Sequence, residues 1–428
     1  MLLRTRYHDS VPRRIKPIRN PVHFEHDGDV VEAERGESLA AALIASDRLV
    51  VGRSPKLHRP RGPYCLEGAC EGCLARVDGV PNVMTCRSVA RGGEQVATQN
   101  VLGSRQVDLL RATDFLFPHG IDHHRLFAGV AGVSSMVQAF ARRVAGSGTL
   151  PDRPSARGRA ARSRVRHLVI GAGAAGLSAA IELGKSAWLV DDGLHPGGSL
   201  AALTPALARE LTARARQRGV RISTRSTVLG LYRPASGAPA LHALVATPAR
   251  MHHVVPERIL VASGAHASCT AFGNNDLPGV WSARAALMLL RRGILVGERV
   301  VIVGSGRFAE EFERSTRALA PSIQRIASES LIRATGRSQV TGVVVGAHGD
   351  EQKLACDALL VEGSYARSLE LVSQAGGQLE YRANTGFVPV LDENARAAPG
   401  VYCAGHAAAS ALGSGEDGRR MGVYLARL

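Results

Sequence analysis

Four cysteines carry the strongest chemical signal in this sequence, and all lie in the stretch CLEGACEGCLARVDGVPNVMTC, from Cys65 to Cys86. With Cys70 and Cys73 between them, the spacing is C-x4-C-x2-C-x12-C. Structural zinc sites usually present two CxxC pairs set well apart. Plant-type [2Fe–2S] domains use C-x4-C-x2-C followed by a distant fourth cysteine. The spacing therefore favours a [2Fe–2S] cluster as the metal ligated by these cysteines, with zinc or no metal as alternatives.

The loop that carries the first three cysteines is rich in glycine. Two irons bridged by sulfides need four thiolates that converge from one side, and a tight loop can supply three of them and a returning strand the fourth. Gly68 and Gly72 would let the loop backbone curl closely and direct amide N–H groups at the sulfurs. The remaining cysteines are isolated along the chain, and the odd total of 7 fits a reducing cytosol better than disulfide pairing.

A dinucleotide fingerprint lies in HLVIGAGAAGLSAAIEL, which begins at His167. The apolar run HLVI predicts a strand, the glycines form G-x-G-x-x-G before an Ala-rich helix, and AWLV predicts a second strand that ends at an acid. Gly171 would make the tight turn, Gly173 would let a diphosphate approach, and Gly176 would allow close helix packing. Asp191 would accept hydrogen bonds from an adenosine ribose. The alternative is a Gly-rich turn in an empty Rossmann domain.

A second, weaker fingerprint follows the predicted strand RVVIV. Gly304, Gly306 and Ala309 form G-x-G-x-x-A, but no strand that ends in an acid or arginine follows at the right distance. The sequence up to the next apolar run is too short for a full second βαβαβ unit. We therefore favour a structural remnant over an NAD(P) site here.

The elements around the cysteines read as a small β-rich domain. VHFEHDGDVVEA predicts two alternating strands around a turn at Asp27–Gly28, and SLAAALIAS predicts a helix that begins after Ser38. Residues 151–166, PDRPSARGRAARSRVR, predict an exposed linker. The adjacent His123 and His124 are interpreted as a surface feature rather than a metal site.

Composition limits the class of protein. Hydrophobic residues make up 45% of 428 residues, and the formal net charge is +16. The arginines are dispersed and no nucleic-acid-binding module is visible, so we expect no nucleic-acid partner. No stretch reaches the ~20 apolar residues of a membrane span, and we expect no secretory signal at the N-terminus. We expect a cytoplasmic protein, with peripheral association at the inner membrane through a complex as a further option.

Five parts of the sequence carry a resemblance to a known family: LHRPRGPYC before the cluster cysteines, VIGAGAAGLSAAIEL with DDGLHPGGSL, ILVASGAHAS, FGNNDLPGVWSARAALMLLRRGILVGERVVIVGSG and VYCAGHAA. Together they resemble the family that contains the α subunits of heterotetrameric sarcosine oxidase and the subunits of opine oxidase, hydroxyproline dehydrogenase and hydrogen cyanide synthase. The resemblance covers nearly all of residues 20–415. His406 departs from the family pattern, in which an aspartate of the closing motif holds the ribityl chain of the flavin. The residues end at Leu428, and we expect the chain to lack the folate-type C-terminal domain and the second cysteine-rich domain of relatives.

The resemblance implies a fold class, cofactors and a site. The implied fold is α/β, with an N-terminal β-grasp ferredoxin-like [2Fe–2S] domain and a two-dinucleotide-domain, glutathione-reductase-like Rossmann fold whose second half is reduced. The predicted domains are 1–105 for the cluster, 106–164 for a helical bridge and Arg-rich linker, 165–283 and 386–428 for the FAD-type domain, and 284–385 for the reduced second Rossmann domain. The first nucleotide site would hold FAD, NAD or another adenine nucleotide, with FMN at a subunit interface as a further option. The residues predicted to bind the nucleotide are Gly171, Gly173, Ala174, Ala175, Gly176, Asp191, Asp192, Gly197, Gly198, Ser199, Leu200, Ser263, Gly264, Gly405 and His406, and the cluster ligands are Cys65, Cys70, Cys73 and Cys86.

The resemblance also implies a function. The chain would be the electron-transfer, α-type subunit of a heteromeric flavin-dependent amine or amino-acid dehydrogenase or oxidase, an oxidoreductase acting on CH–NH donors. A partner β subunit that resembles D-amino-acid oxidases would oxidise the amine, and electrons would pass through flavin to the cluster and on to a quinone or cytochrome. A small additional subunit is a further expected partner, and we assign no catalytic residue to this chain. The alternatives are an NAD(P)H-dependent iron–sulfur flavoprotein reductase and a non-catalytic scaffold subunit of the same complex.

Overall fold

The structure is a computed structural model, and it describes residues 11–54, 57–101, 158–233, 241–319, 321–347, 350–383, 385–410 and 413–428. The described residues form two compact units, each built from two segments of the chain. Unit 1 takes its residues from 1–154 and 269–363, and unit 2 takes its residues from 155–268 and 364–428. Across the described ranges, none of the helices is both long enough and apolar enough to cross a bilayer. The predicted helical bridge and His123–His124 lie outside the described residues.

The first segment of unit 1 is the small β-rich domain. Its elements are β1 (Arg13–Arg14), β2 (Pro21–His26), β3 (Asp29–Glu34), α1 (Leu39–Ala45), β4 (Gly52–Arg53), β5 (Pro60–Arg61), β6 (Leu74–Val77), β7 (Val80–Met84) and β8 (Gln95–Ala97). The predicted hairpin is confirmed, since β2 and β3 pair antiparallel around Asp27 and Gly28, both of which have positive φ. The predicted helix is confirmed as well, because the Ser38 hydroxyl accepts a hydrogen bond from the amide of Ala41 at 3.1 Å and so begins α1.

Five of these strands form one sheet in the order β3-β2-β8-β6-β7. Strands β2 and β8 run parallel, whereas the other neighbours are antiparallel. Apolar side chains from β2, β3 and α1 form the core of the domain, among them Phe24, Val31 and Leu43. The alternation of buried and exposed residues along β2 follows from the period of two in a strand, which places every second side chain in this core.

The first segment of unit 2 is a Rossmann-type domain. Its elements are β9 (Ala161–Ile170), α2 (Ala174–Leu183), β10 (Ala187–Val190), α3 (Ser199–Leu203), α4 (Pro205–Gln217), β11 (Arg221–Ser223), β12 (Thr227–Tyr232), β13 (His242–Ala246), β14 (Met251–Val261) and β15 (Ala265–Ala267). The strands of its main sheet follow the order β11-β10-β9-β14-β13-β12. Strands β11, β10, β9 and β14 run parallel, so their carboxyl ends meet at one edge, which is where such sheets bind ligands.

The predicted linker is wrong for its last residues. Ala161–Arg166 form the first half of β9, and they pair with the first half of β14, where Ala161 faces His252 and Val165 faces Pro256. The sequence of this stretch has no apolar pattern typical of a strand, because only every second side chain is partly buried and the others are exposed. The backbone hydrogen bonds to β14 supply the order that the composition does not predict.

The second segment of unit 1 is the second Rossmann-type domain. Its elements are β16 (Val280–Ser282), α5 (Ala283–Arg291), β17 (Ile294–Leu295), β18 (Arg299–Val303), α6 (Arg307–Thr316), β19 (Ser322–Ile326), β20 (Leu331–Thr335), β21 (Gly342–Ala347), β22 (Asp350–Ala355) and β23 (Ala358–Val361). A parallel sheet of four strands has the order β16-β23-β18-β19, and β20-β21-β22 form an antiparallel meander beside it. Pairing of β16 with β23 places residues 280–282 in this domain, although the sequence analysis assigned them to the first.

The last segment returns to unit 2 with β24 (Tyr365–Arg367), α7 (Glu370–Gln374), β25 (Leu379–Arg382), β26 (Gly386–Pro389), β27 (Arg396–Ala398), β28 (Val401–Cys403) and α8 (Ser414–Arg427). Strand β28 runs parallel to the end of β14, as expected for a segment that closes the first Rossmann-type sheet. Helix α8 lies directly on α2, because Gly418 and Gly422 let the two backbones approach closely. A Cβ on Gly418 would lie 2.1 Å from the carbonyl oxygen of Ala175.

Candidate iron–sulfur and nucleotide sites

The four predicted cluster cysteines come together in the described structure. Cys73 precedes β6, and Cys86 follows β7 by two residues. The antiparallel pairing of Leu74 with Met84 places both cysteines at the same end of the hairpin. Thr85 completes this arrangement, since its amide and its hydroxyl both donate to the carbonyl oxygen of Cys73.

The thiols form two pairs. Cys65 shares a hydrogen bond with Cys70, and this bond lowers the pKa of Cys70 and raises that of Cys65. Cys73 and Cys86 form a second pair, in which the shared bond lowers the pKa of Cys73 and raises that of Cys86. Among the described residues, no three histidine, cysteine or carboxylate side chains converge closely enough to hold one metal ion. Two pairs of thiols suit two irons with two thiolates each.

The loop backbone points donors at these sulfurs. The amide of Glu67 donates to Sγ of Cys65 at 3.3 Å. The amide of Ala69 also donates to Cys65, and the amide of Gly72 donates to Cys70. Three of the four thiols are buried, and Cys70 is partly exposed. Such N–H···S contacts stabilise thiolates in iron–sulfur sites. The residues present therefore fit a [2Fe–2S] cluster.

Two glycines permit this loop for different reasons. Gly68 has a φ of +75°, and a Cβ there would lie 2.6 Å from Nε of Arg87. Gly72 faces the backbone of Gly62, whose carbonyl oxygen would lie 2.4 Å from an added Cβ. Both positions therefore require the absence of a side chain.

Neighbours from the second Rossmann-type domain hold the cluster loop, and the sequence did not reveal them. Arg284 of α5 forms a salt bridge of 2.7 Å with Glu67, and the two side chains are only 12% and 9% exposed. Arg59 and Arg61 from the β-rich domain both bind Asp276 at 2.7 Å. The sum of these interactions lowers the pKa of Asp276: burial raises it, but the hydrogen bond from Arg59 and the charge of Arg61 outweigh burial.

Cys269 is isolated in sequence but not in space. Partial burial raises the pKa of Cys269, and Cys65 lies close enough to raise it further by its charge. Tyr64, which directly precedes Cys65, has a raised pKa because of burial and of the nearby charges of Cys269 and Cys70. Chain folding brings Cys269 to the cluster loop, whereas Tyr64 belongs to it by sequence.

The first fingerprint forms a strand, a glycine turn and a helix, as predicted. Gly171 has a φ of +102°, and a Cβ there would lie 2.3 Å from the carbonyl oxygen of Ala262. A Cβ on Gly176 would lie 1.8 Å from the carbonyl oxygen of Gly171, so the helix can approach the turn only without one. Gly173 begins α2, receives no side-chain cap, and would place a Cβ in open space. The free amides of α2 thus face a space that a diphosphate could occupy.

The predicted ribose-binding acid is anchored beside this turn. One carboxylate oxygen of Asp191 accepts from the amide of Ala172 at 2.6 Å, and the other accepts from the amide of Gly193 at 2.8 Å. A carboxylate oxygen can accept more than one hydrogen bond, so these two backbone bonds do not by themselves exclude a ribose hydroxyl as a further donor. Asp192 next to it is exposed.

The remaining predicted nucleotide residues are spread along the same edge of unit 2. Gly197 and Gly198 both have positive φ, and a Cβ on Gly198 would lie 3.2 Å from Cα of Gly173, so the second glycine loop lies against the first. Ser199 and Leu200 begin α3. Ser263 donates to the carbonyl oxygen of Ser368, and Gly264 follows with a φ of +72°. Ala174 and Ala175 open α2.

The closing motif is held by a carboxylate that the sequence analysis did not consider. Asp417 is 1% exposed and accepts a hydrogen bond from the amide of Gly405 at 2.7 Å. Arg367 donates to the carbonyl oxygen of His406 at 3.0 Å, while the His406 residue itself is exposed. These contacts fix the backbone of the motif at the carboxyl end of β28.

Comparison with known proteins agrees with this geometry. Residues 19–101 match the family model of the 2Fe-2S iron-sulfur cluster binding domain. The sarcosine oxidase subunit alpha of Rhizobium meliloti (strain 1021) is 28% identical over 427 residues, which covers 86% of this chain and 42% of that protein. The subunit alpha from Corynebacterium sp. (strain P-1) is 24% identical, with 85% of this chain and 39% of that protein covered. The predicted resemblance to this family is confirmed.

This chain spans less than half the length of these curated relatives. Among solved structures, L-proline dehydrogenase from P. horikoshii matches with a TM-score of 0.73 at 21% identity, covering 97% of this chain and 75% of that chain. That likeness concerns the fold. It confirms the predicted α/β class with a Rossmann-type architecture, and the family model confirms the N-terminal 2Fe-2S domain.

Proposed function

We propose that the chain is the electron-transfer, α-type subunit of a heteromeric flavin-linked dehydrogenase or oxidase that acts on secondary amines or amino acids. The observation that carries the proposal is the set of two thiol pairs in a loop lined by amide donors, inside residues that match a 2Fe-2S domain. The relatives are named as subunits of sarcosine oxidase, which supports a role within a larger complex.

Cys65, Cys70, Cys73 and Cys86 would hold the cluster in this proposal. A [2Fe–2S] cluster supplies one-electron transfer, and a flavin supplies the exchange between two-electron and one-electron chemistry. The chain's own residues set the conditions: the loop amides stabilise thiolates, and the arginine side chains of Arg87 and Arg284 place positive charge beside the loop. The partly exposed Cys70 is the ligand nearest to solvent and so to an external redox partner.

The first Rossmann-type domain would bind an adenine nucleotide in this proposal. The uncapped start of α2 would receive the diphosphate, and Asp191 would accept the ribose hydroxyls. FAD, NAD and other adenine nucleotides all share this part of the structure, and the exposed His406 offers no carboxylate to a ribityl chain. FMN at an interface with another subunit is a further element of the proposal.

Amine oxidation would take place in a partner flavoprotein that resembles D-amino-acid oxidases, with a small additional subunit and a quinone or cytochrome as further partners. The net charge of +16 suits an acidic partner surface, so high salt should weaken the complex.

Visible absorption of the purified chain under anaerobic conditions, together with iron and acid-labile sulfide analysis, tests the proposal. We expect about two irons and about two sulfides per chain. The visible absorption bands should not change when NADH is added and should bleach when dithionite is added. Rapid bleaching by NADH would instead identify a reductase. A chain purified anaerobically without iron, and unable to take up a cluster from iron and sulfide, would contradict the proposal and favour a scaffold.

A further inference from the structure

The second glycine fingerprint lies beside an acidic residue that the sequence pattern does not connect with it. Strands β18 and β23 are parallel neighbours, and their last residues, Val303 and Val361, face each other. The glycine turn begins at Gly304, directly after β18, and Glu362 directly follows β23. Because the carboxyl ends of parallel strands share one edge, Glu362 emerges next to the turn, at the position where dinucleotides bind in such sheets.

The carboxylate of Glu362 lies at the N-terminus of α6 and binds one of its first amides. Its Oε2 accepts a hydrogen bond from the amide of Ala309 at 2.8 Å, and the residue is only 8% exposed. A Cβ on Gly306 would lie 2.7 Å from Oε1 of Glu362, so the side chain rests on the second glycine of the fingerprint. This glycine and these first helical amides are the groups that receive a diphosphate in a working site.

The two glycine fingerprints of the chain therefore differ in the space beside their second glycine. At Gly173 a Cβ would meet no atom within 4 Å, whereas at Gly306 the space is taken by a carboxylate. Asp191 in the first site accepts from the amide that precedes the second glycine and leaves that glycine open. Strand β19, which follows the second fingerprint, ends at Ile326 and is followed by Ala327 and Ser328, neither of which supplies the carboxylate that Asp191 supplies in the first site.

We infer that Glu362 closes the second Rossmann-type site to dinucleotides, with its carboxylate in place of the diphosphate. Two effects act together. The side chain occupies the volume that a diphosphate needs, and its negative charge repels the phosphates. The inference goes beyond the proposed function and stands independently of it, because it concerns only unit 1 and whether this chain can take NAD(P)H there.

The second Rossmann-type domain also contacts the cluster loop. Arg284 of α5 holds Glu67 of the cluster loop, and its guanidinium lies 5.7 Å from the ring of Phe308 in the first turn of α6. Phe308 is buried beside Ala309, whose amide Glu362 holds. Helix α6 is thereby a neighbour of the arginine that holds the cluster loop.

Hydrogen–deuterium exchange of residues 304–312, with and without NAD+, tests the inference on the full chain. The readout is local, so a nucleotide bound at the first site does not obscure it. We expect no added protection in the wild-type protein. In Glu362→Ala we expect saturable protection and NAD+ binding at this site at least about tenfold tighter than in the wild-type protein.

Two further variants complete the experiment. Glu310→Ala removes an exposed carboxylate from the same helical turn, so it matches the change in charge without opening the site, and no protection is expected. Glu362→Gln keeps an acceptor for the Ala309 amide and most of the volume, so it should fold and show a smaller gain than Glu362→Ala. Protection by NAD+ in the wild-type protein would overturn the inference, and so would the absence of any gain in the folded Glu362 variants.

Discussion

The salt bridge between Arg284 and Glu67 allows a quantitative test of how the cluster loop is held. The two side chains are 12% and 9% exposed and lie 2.7 Å apart. The main chain of Glu67 holds the first thiol, since its amide donates to Sγ of Cys65. The change Arg284→Met keeps the length of the side chain and removes its charge, so the carboxylate of Glu67 stays buried without this arginine.

Removing one partner of a buried ion pair costs about 3–5 kcal/mol, because an uncompensated charge remains in a poorly solvated place. For a urea dependence of about 2 kcal/mol per molar, the midpoint for loss of the cluster should fall by about 1.5–2.5 M. The exposed pair of Arg333 and Glu351 in the same unit, at 3.2 Å with side chains 41% and 36% exposed, is the matched control. Arg333→Met should cost less than about 1 kcal/mol.

The assay is urea denaturation followed by visible absorption, which reports on the cluster loop, and by circular dichroism, which reports on the whole chain. The two units do not need to unfold together, so the cluster signal is the relevant one. The double variant Arg284→Met with Glu67→Met should recover part of the loss, because it leaves no buried charge.

A small effect would refute this reasoning. If Arg284→Met shifted the midpoint no more than Arg333→Met does, the bridge would be screened by solvent and would not hold the loop. If the double variant were as unstable as the single one, packing of the arginine stem rather than its charge would be responsible.

Three further results are expected. Cys73→Ser should remove most of the bound iron, whereas Cys356→Ala, which changes a buried cysteine with no cysteine partner in the sequence pattern, should retain it; equal iron content in both would exclude Cys73 as a ligand. Asp191→Asn should weaken binding of an adenine nucleotide about tenfold or more, measured by calorimetry, since a charged acceptor for ribose is lost. Burial and the charge of Arg166 lower the pKa of His167 from 6.5, so its contribution to stability is complete above that pH and is lost as the pH falls below it. Urea midpoints from about pH 8 down to about pH 5.5 should show this loss, and His167→Gln should reduce it; an unchanged slope would show that other groups cause the pH dependence.

Local sequence signals predicted the local structure well. The turn residues Asp27 and Gly28, the cap at Ser38 and the glycine turn at Gly171 each depend on a conformation or a hydrogen bond within a few residues, and all are present. The cysteine spacing belongs to the same class of signal, because three of the cysteines lie on one loop and the fourth follows a short hairpin. Such features can be predicted because their physical cause is contained in the segment itself.

Sequence-based predictions failed where the local structure depends on pairing with a distant segment of the chain. Residues 161–166 have the composition of a linker, but pairing with β14 makes them a strand. The Rossmann-type boundary moves because Val280–Ser282 pair with β23 rather than with the first sheet. Strand pairing supplies backbone hydrogen bonds without requiring any particular side chain, so composition carries little information about it.

The sequence by itself determined the kind of chemistry this protein can support: the types and spacing of its cysteines, and the glycines that allow backbone to approach a nucleotide. Only the tertiary structure decided which sites remain open and what supports them. Glu362 closes one fingerprint, and Arg284 braces the cluster loop, although each lies more than fifty residues along the chain from the site it acts on. The physical reason is that a buried charge is stable only beside a partner, and chain folding, not sequence distance, determines which groups become partners.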